Sequence, residues 1–368
     1  MFVYLRKDYI AQCTQKKYDK KSYICSFYNE KNMDESVQKI GIVGSGSWAT
    51  AMIKMLGDNT EQKDILWWVR KEEDLAYIRS YGHNPSYLSA VKVCVKPDNL
   101  FSDARTVIQQ SDIVILNTPS AYLKDALAAV QAADFSNKIV VSAIKGIIPN
   151  DNLIVGDYLT QTYQIPLENI VVIGGPCHAE EVSSEKLSYL TLAGKDQTTV
   201  ERVGRFIRGR YINTVLSTDI FGVEYGAVLK NIYALAAGIC HGAGLGDNFI
   251  AVLISNAIRE MGTCLSAIDS DVSRDIKTSA YLGDLLVTAY SQFSRNRTFG
   301  HMIGKGYTVQ SAQLEMNMVA EGYYASACIQ NIIQRHQLDM PICQMVYEIL
   351  YHRQPATLAI KKLLDKLT

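Results

Sequence analysis

The chain is expected to be an α/β domain built on a mostly parallel sheet, followed by an all-α domain. Three observations predict this. The apolar run Ile40–Val43 breaks at Gly44 and Gly46 and opens into a helix-forming stretch from Trp48. Apolar runs of strand length then alternate with helical stretches to about Thr218. Beyond Thr218 the pattern is helical throughout.

The opening unit carries the clearest chemistry. Gly44, Gly46 and Ala49 occupy the G-x-G-x-x-G/A positions between a strand and a helix. Gly44 allows a tight turn and Gly46 lets a pyrophosphate approach the backbone. Ala49 lets the helix lie close on the strand, while the helix N-terminus offers free N–H groups to the anion. A bare glycine pattern is weak, but its place between strand and helix, with more alternation after it, favours a Rossmann-type dinucleotide-binding domain over a chance turn.

Further strands are expected at Ile65–Val69, Val91–Val95, Ile113–Asn117, Ile139–Ile144, Ile170–Ile173 and Tyr189–Ala193. Helices are expected at Glu72–Ser80, Ala121–Ala132, Asn152–Tyr163 and Thr198–Arg208. Strands joined by helical crossovers make a parallel sheet with both faces covered, and ligands sit beyond its carboxyl edge. That edge would hold residues 117–120, 145–146 and 174–177. Five later stretches read as helices: Val223–Cys240, Phe249–Gly262, Thr278–Phe293, Ala312–His336 and Pro341–His352. The expected division is a dinucleotide-binding domain over 39–218 and a helical substrate domain over 219–368, with the active site in the cleft between them.

Residues 1–38 differ from the rest. They are rich in Lys, Tyr, Asn and Gln and show no sustained period. Arg6, Lys7 and Asp8 interrupt the first ten residues, so no signal-peptide core is expected, and the composition does not suit a transit peptide. Met33 lies just before the first strand. A disordered or dispensable extension is expected, with an extra helix packed on the core as the alternative.

Composition excludes several functions. Lys+Arg and Asp+Glu are equal at 37 each, which argues against a general nucleic-acid binder, and no polybasic block suggests a membrane surface. No apolar run reads as long and uncharged enough to span a bilayer. The eight cysteines are scattered without a C-x-x-C pair, the pattern of reduced thiols in a cytoplasmic protein rather than a disulfide frame or metal site.

A few residues stand out for chemistry. Lys230 interrupts the apolar helical segment 224–239, with Gly226, Ala227, Tyr233 and Ala234 as helix-face neighbours that leave space for a ligand. Apolar surroundings lower a lysine's pKa and suit it to proton transfer near neutral pH. A lysine snorkelling to water reads equally well from the helix alone. Ser294, Arg295 and Asn296 form a kit for a phosphate or polyhydroxy ligand, although a solvated turn is the more ordinary reading. Asp284, within an apolar helix, needs a partner unless it is an N-cap. Cys177 and His178 are adjacent, and adjacent residues rarely face each other as a nucleophile–base pair.

Taken together, the chain resembles the bacterial NAD(P)-dependent glycerol-3-phosphate dehydrogenase family over nearly everything from Ile40 onward. The motifs that carry the resemblance are Gly-Ser-Gly-Ser-Trp-Ala-Thr-Ala (44–51), His-Asn-Pro-Ser-Tyr-Leu (83–88), Ala-Ile-Lys-Gly (143–146) and Gly-Pro-Cys-His-Ala-Glu-Glu (175–181). The helical half adds Val-Leu-Lys-Asn (228–231), Gly-Asp-Asn (246–248), Leu-Gly-Asp-Leu (282–285), Ser-Arg-Asn-Arg (294–297) and Ala-Glu-Gly (320–322).

The resemblance implies reversible reduction of dihydroxyacetone phosphate to sn-glycerol 3-phosphate, which supplies phospholipid synthesis. It assigns Lys230 as proton donor and acceptor and Lys145 as a contact to both cofactor and substrate. Gly175, Cys177, Asp284, Ser294, Arg295 and Asn296 match the family's substrate contacts. Gly44, Gly46, Ser47, Trp48, Arg70, Ala179, Arg295, Val319 and Glu321 match the cofactor site. No metal is implied. A homodimer is compatible with the resemblance.

Three positions depart from the family pattern: Cys177 for the usual Ser or Thr, Ile-Ser-Asn-Ala (254–257) for Ile-Thr-Arg-Gly, and Ala49 for the third glycine. The second expected strand ends in Arg70 and Lys71, with no acid at its tip until Glu72. Two cations there can pair with a 2′-phosphate, so NADPH is expected to be preferred or at least fully accepted over NADH. Alternatively, Arg70 only stacks on adenine and Lys71 points to solvent.

Two rivals remain: a hydroxy-acid or sugar-acid dehydrogenase of the same architecture, and a catalytically silent dinucleotide sensor. The first has no reason to carry Leu-Gly-Asp-Leu and Ser-Arg-Asn-Arg together. The second has no use for Lys145, Lys230 and Asp284.

Overall fold

In the computed structural model, which describes residues 38–59, 64–270, 272–316 and 320–368, the glycine turn follows an interior strand of an eight-stranded sheet. β1 (Ile40–Val43) is buried along its whole length and leads through the turn into α1 (Ser47–Gly57). Gly44 has φ +144°, where a Cβ would strike the backbone of Asn117, so only glycine turns the chain here. Its carbonyl accepts the Trp67 indole N–H at 2.7 Å.

The next elements are β2 (Ile65–Trp68), α2 (Glu72–Tyr81), β3 (Leu100–Phe101), α3 (Ala104–Gln110), β4 (Ile113–Leu116), the single turn α4 (Leu123–Ala126) and β5 (Ile139–Ser142). A small hairpin, β6 (Ile147–Ile148) with β7 (Leu153–Ile154), precedes α5 (Val155–Tyr163). Then come β8 (Ile170–Gly174), α6 (Ala179–Ser183), β9 (Ser188–Ala193), α7 (Gln197–Ile207) and β10 (Ile212–Ser217). The strand order is β10-β9-β8-β5-β4-β1-β2-β3. Every pairing is parallel except β8 with β9, where the direction reverses.

From Ile220 onward the described residues are helical or irregular. They form α8 (Ile220–Gly242), α9 (Asp247–Ile268), a π turn (Ser279–Gly283), α10 (Asp284–Tyr290), α11 (Arg295–Gly304), α12 (Val309–Glu315), α13 (Glu321–His336), α14 (Pro341–Tyr351) and α15 (Ala356–Leu364). The fold is therefore a Rossmann-like α/β region with a mostly parallel sheet, followed by an all-helical region. Residues 38–368 make one compact unit, and one hydrophobic core runs from the sheet into the helices, joining Val140 and Ile170 to Leu229 and Tyr233.

α8 is buried on nearly every side, as expected of a helix at the centre of a bundle. It crosses α11 at backbone contact. A methyl on Gly238 or Gly242 would strike Arg297 and His301, and one on Gly300 or Gly304 would strike Leu235 and Ile239.

Several expected elements differ. Val91–Val95 makes only an isolated bridge, Lys92 to His83, because the sheet position beside β2 is taken by β3. The helix expected over Ala121–Ala132 is one short turn. Asp134 draws the chain out of it by accepting from the Gln131 N–H, Gln109 and Arg105 at 2.7–2.8 Å. The single helix expected at Ala312–His336 comprises α12 and α13, with Met316 extended after α12. Ser294–Asn296 is not a solvated turn, since Ser294 caps α11 and Asn296 is buried.

Expectations for residues 1–37 and for Val319 lie outside the described residues. Against the expectation of no span-like run, α9 has the length and mean hydropathy (1.2) of a membrane span, yet half of that window is buried inside the protein. Its buried face holds Glu260, whose carboxylate accepts from the backbone N–H groups of Ile342 and Cys343 at the start of α14. It reads as a core helix.

Candidate active site

One cleft of about 730 Å³, within the size range of ligand sites, runs from the glycine turn to the middle of α8. It lies at the carboxyl edge of the sheet, and Asn117, Thr118, Lys145 and Cys177 line it from the loops after β4, β5 and β8. Of the expected site residues, Gly46, Ser47, Trp48, Arg70, Lys71, Lys145, Cys177, Ala179, Lys230, Asp284, Ser294, Arg295, Asn296 and Glu321 all line this one cleft. Gly44 and Gly175 are not among the residues that line it, although the Gly175 carbonyl accepts from Lys145 at 2.8 Å.

The end nearest the turn has the features of a dinucleotide cradle. A Cβ on Gly46 would meet nothing within 4 Å, so the N-terminus of α1 is open to an approaching anion. Asn84 holds the turn in shape, donating to the Ser45 carbonyl at 3.1 Å and to Thr50 Oγ1 at 2.8 Å. Asn117 Nδ2, Thr118 Oγ1 and Trp48 Nε1 are buried with no hydrogen-bond partner in the protein. Buried polar atoms in a cleft wall call for partners from a ligand. Exposed Arg70 and Lys71 stand at the outer end.

At the inner end two lysines share one carboxylate. Asp284, 1% exposed at the start of α10, pairs with Lys230 through Oδ1 and with Lys145 through Oδ2 at 3.1 Å. Lys145 also donates to the Gly175 carbonyl at 2.8 Å and lies 3.2 Å from Cys177 Sγ. Lys230 donates to Thr288 Oγ1 at 3.0 Å. Thr288 was not singled out in the sequence, although its place four residues after Asp284 puts it on the same helix face.

Burial lowers the pKa of Lys230 to about 8; Asp284 opposes the shift and Lys145 adds to it. Burial also works against the charge on Lys145, but Asp284 and Cys177 outweigh it and hold its pKa above the usual lysine range. Burial acts to raise the pKa of Asp284, and the two lysines reverse this and hold it low. The group therefore has one fixed cation and one lysine poised to give up a proton near neutral pH.

Asn231, beside Lys230, donates to the Lys145 carbonyl at 2.6 Å. Asn296 donates to Asn231 Oδ1 and accepts from the Gly322 N–H, both at 2.9 Å. Glu321 is half-buried in the cleft wall, taking the Ser120 backbone N–H at 2.9 Å and also its hydroxyl. Arg295, at the first position of α11, has no hydrogen-bond partner among the described residues and is half-buried. Cys177 donates to the Gly175 carbonyl at 3.3 Å, so the thiol sits inside the lysine cluster. Asn256, another departure from the family pattern, is buried and donates to the Thr368 carbonyl at 3.0 Å.

Both halves of one family match this chain: the NAD-dependent glycerol-3-phosphate dehydrogenase N-terminus over residues 39–200 and its C-terminus over 219–361. The chain belongs to this family. Glycerol-3-phosphate dehydrogenase [NAD(P)+] of Thermobifida fusca is 31% identical over 88% of this chain and 95% of its own length. The enzyme of the same name from Agathobacter rectalis is 32% identical over 89% and 96%. Among solved structures, glycerol-3-phosphate dehydrogenase from Coxiella burnetii superposes with a TM-score of 0.81 at 26% identity, covering 89% of this chain and 98% of that one. D-mandelate dehydrogenase reaches a TM-score of only 0.54 at 14% identity, a likeness of fold alone. A family that uses NADPH or NADH accounts for the dinucleotide cradle, and the lysine pair lies where its two halves meet in one cleft.

Proposed function

We propose that this chain catalyses the reversible, NAD(P)H-dependent reduction of dihydroxyacetone phosphate to sn-glycerol 3-phosphate, a step that feeds phospholipid synthesis. The observation that carries the reading is the Lys145–Asp284–Lys230 cluster, set in the same cleft as the open glycine turn. The bound nicotinamide supplies the hydride that reaches C2. Reduction of a ketone leaves charge on the C2 oxygen, and Lys230 is the group to stabilise it and donate the proton. Lys145 remains cationic and draws the carbonyl towards the cluster. Arg295, Ser294 and the remaining N–H of Asn296 take the phosphate, a remote handle that fixes C2 for transfer.

Ser47, Trp48, Ala179 and Glu321 are the remaining cofactor contacts in this reading. Arg70 and Lys71 take a 2′-phosphate, which favours NADPH. Asp74 also lines that end, but its carboxylate is engaged by the Ser86 hydroxyl at 3.0 Å. The six described cysteines are free thiols, which supports a reducing, cytoplasmic setting.

The decisive experiment is a steady-state assay of the purified chain with dihydroxyacetone phosphate, set beside a panel of 2-keto acids, using NADPH and NADH. Turnover of the phosphorylated ketone alone is expected. Turnover of keto acids in its place would point to a hydroxy-acid dehydrogenase, and none at all to a sensor.

A further inference from the structure

We propose that Tyr281 and Arg274 are positioning residues that hold the Ser279–Gly283 π turn so that Asp284 faces both lysines. The proposal rests on Lys230 being the proton donor. It begins with Asp219, which does two jobs. Its carboxylate caps α8 by accepting from the Gly222 N–H at 3.0 Å. It also takes Arg274 in a two-pronged pair, at 2.7 and 3.0 Å, and the Tyr281 hydroxyl. One partly buried carboxylate thus ties the start of the helix that bears Lys230 to the turn that presents Asp284.

Arg274 is used in full. Its other N–H groups reach the Leu265 carbonyl at 3.1 Å, the Asp269 carbonyl at 2.7 Å and the Asp269 carboxylate at 3.0 Å, all at the end of α9. A guanidinium with all five donors engaged is a rigid fixture that lysine cannot copy. Tyr281 then lies over Gly226 of α8, one turn before Lys230, where a methyl would meet its ring at 3.0 Å. Asp284 follows Tyr281 by three residues and meets Lys230, so both contacts run along one face of α8. The wide π turn between them is the kind of irregularity that re-aims a side chain at a site. None of Asp219, Arg274 and Tyr281 lines the cleft, so each acts through Asp284.

The test uses Tyr281→Phe, which keeps the ring over Gly226 and removes only the hydroxyl, and Arg274→Lys. Lys230 is faced by Asp284 and Thr288 from α10, by Lys145 after β5, and by Cys177 and His178 after β8. Of these, Asp284 is the main group opposing burial, so loosening it destabilises the protonated amine. Reduction needs that amine protonated, and its rate falls as pH rises through the Lys230 pKa. In both variants this limb should move to lower pH. A displacement of about one unit gives about tenfold lower kcat above the limb, with the cofactor KM unchanged. A limb that stays in place in Tyr281→Phe overturns the proposal, whether or not Tm falls, because that is the signature of a purely structural contact. If Arg274→Lys does not fold, Tyr281→Phe alone decides. If Lys230→Met instead keeps the parental rate and limb, the proton-donor reading itself has failed.

Discussion

The Asn231 side chain donates to the backbone carbonyl of Lys145 at 2.6 Å, across 86 residues of sequence. Through Asn296 the same chain of amides reaches Gly322 at the start of α13. Lys145 is therefore held from behind by the helix that carries Lys230. Asn231→Ala leaves that carbonyl and the Asn296 amide without partners. It should cost about 1–3 kcal/mol in stability, the usual penalty for unsatisfied buried groups. Urea denaturation gives the first quantity, and kcat, expected to fall along with it, gives the second.

Lys230→Met should lower kcat by about 10²–10⁴, the usual value of a general acid, and leave cofactor affinity largely intact. Trp48 and Trp68 line the cleft, so quenching of tryptophan fluorescence reads that affinity directly. In the parent, the reductive rate should fall as pH rises through about 8, where Lys230 loses its proton, and the oxidative rate should rise. A rate independent of pH in this window would show that another group gives the proton.

Arg295→Ala should impair dihydroxyacetone phosphate far more than unphosphorylated dihydroxyacetone. A charge-assisted hydrogen bond is worth about 1.5–3 kcal/mol, which is read as the change in the ratio of kcat/KM between the two substrates. Equal losses with both would place Arg295 in the cofactor site or the scaffold.

Arg70→Ala should weaken NADPH more than NADH, because only NADPH carries the 2′-phosphate. The comparison is of kcat/KM with each cofactor, for parent and variant. Equal weakening would mean that Arg70 only stacks on adenine, and a parent strongly favouring NADH would refute the preference itself.

Two buried carboxyl groups contribute a definite slope to the pH dependence of stability. Burial raises Glu224 to about 8 and Glu260 to about 7, although backbone N–H groups of α5 and α14 oppose the shift. A raised acid pKa means that the folded protein holds the proton while the unfolded chain has released it. The contribution of these groups to stability should therefore fall as pH rises from about 4.5 towards 7–8 and level off above. Thermal melts across that range should show this slope, and Glu260→Gln should flatten its part below pH 7.

The parallel alternation was legible because buried strands such as Ile113–Leu116 are continuous apolar runs with polar turns at their ends. β10 was missed for the opposite reason: it is a half-exposed edge strand whose Asn213 and Thr214 dilute the signal. The catalytic end is harder to read from one dimension. Lys230 looked as ready to snorkel as to react, and the deciding fact, a carboxylate 54 residues away in sequence, belongs to packing. Arg295 looked like part of a solvated turn because Ser294, its cap, is also a turn residue. Tyr281 and Arg274 carried no signal at all, since their shared acceptor, Asp219, lies more than 50 residues before either.

Where α8 crosses α11, backbone meets backbone, with no side chain between to act as a spacer. Lys230, the proposed proton donor, rides on one of these helices and Arg295, the proposed phosphate cation, on the other. Their separation is thus a fixed gauge, set by four absent methyl groups rather than by adjustable packing. A longer phosphorylated ketone must fit the same gauge or leave its carbonyl out of reach. Discrimination by chain length would then originate at the crossing of the two helices, away from any atom that touches the substrate.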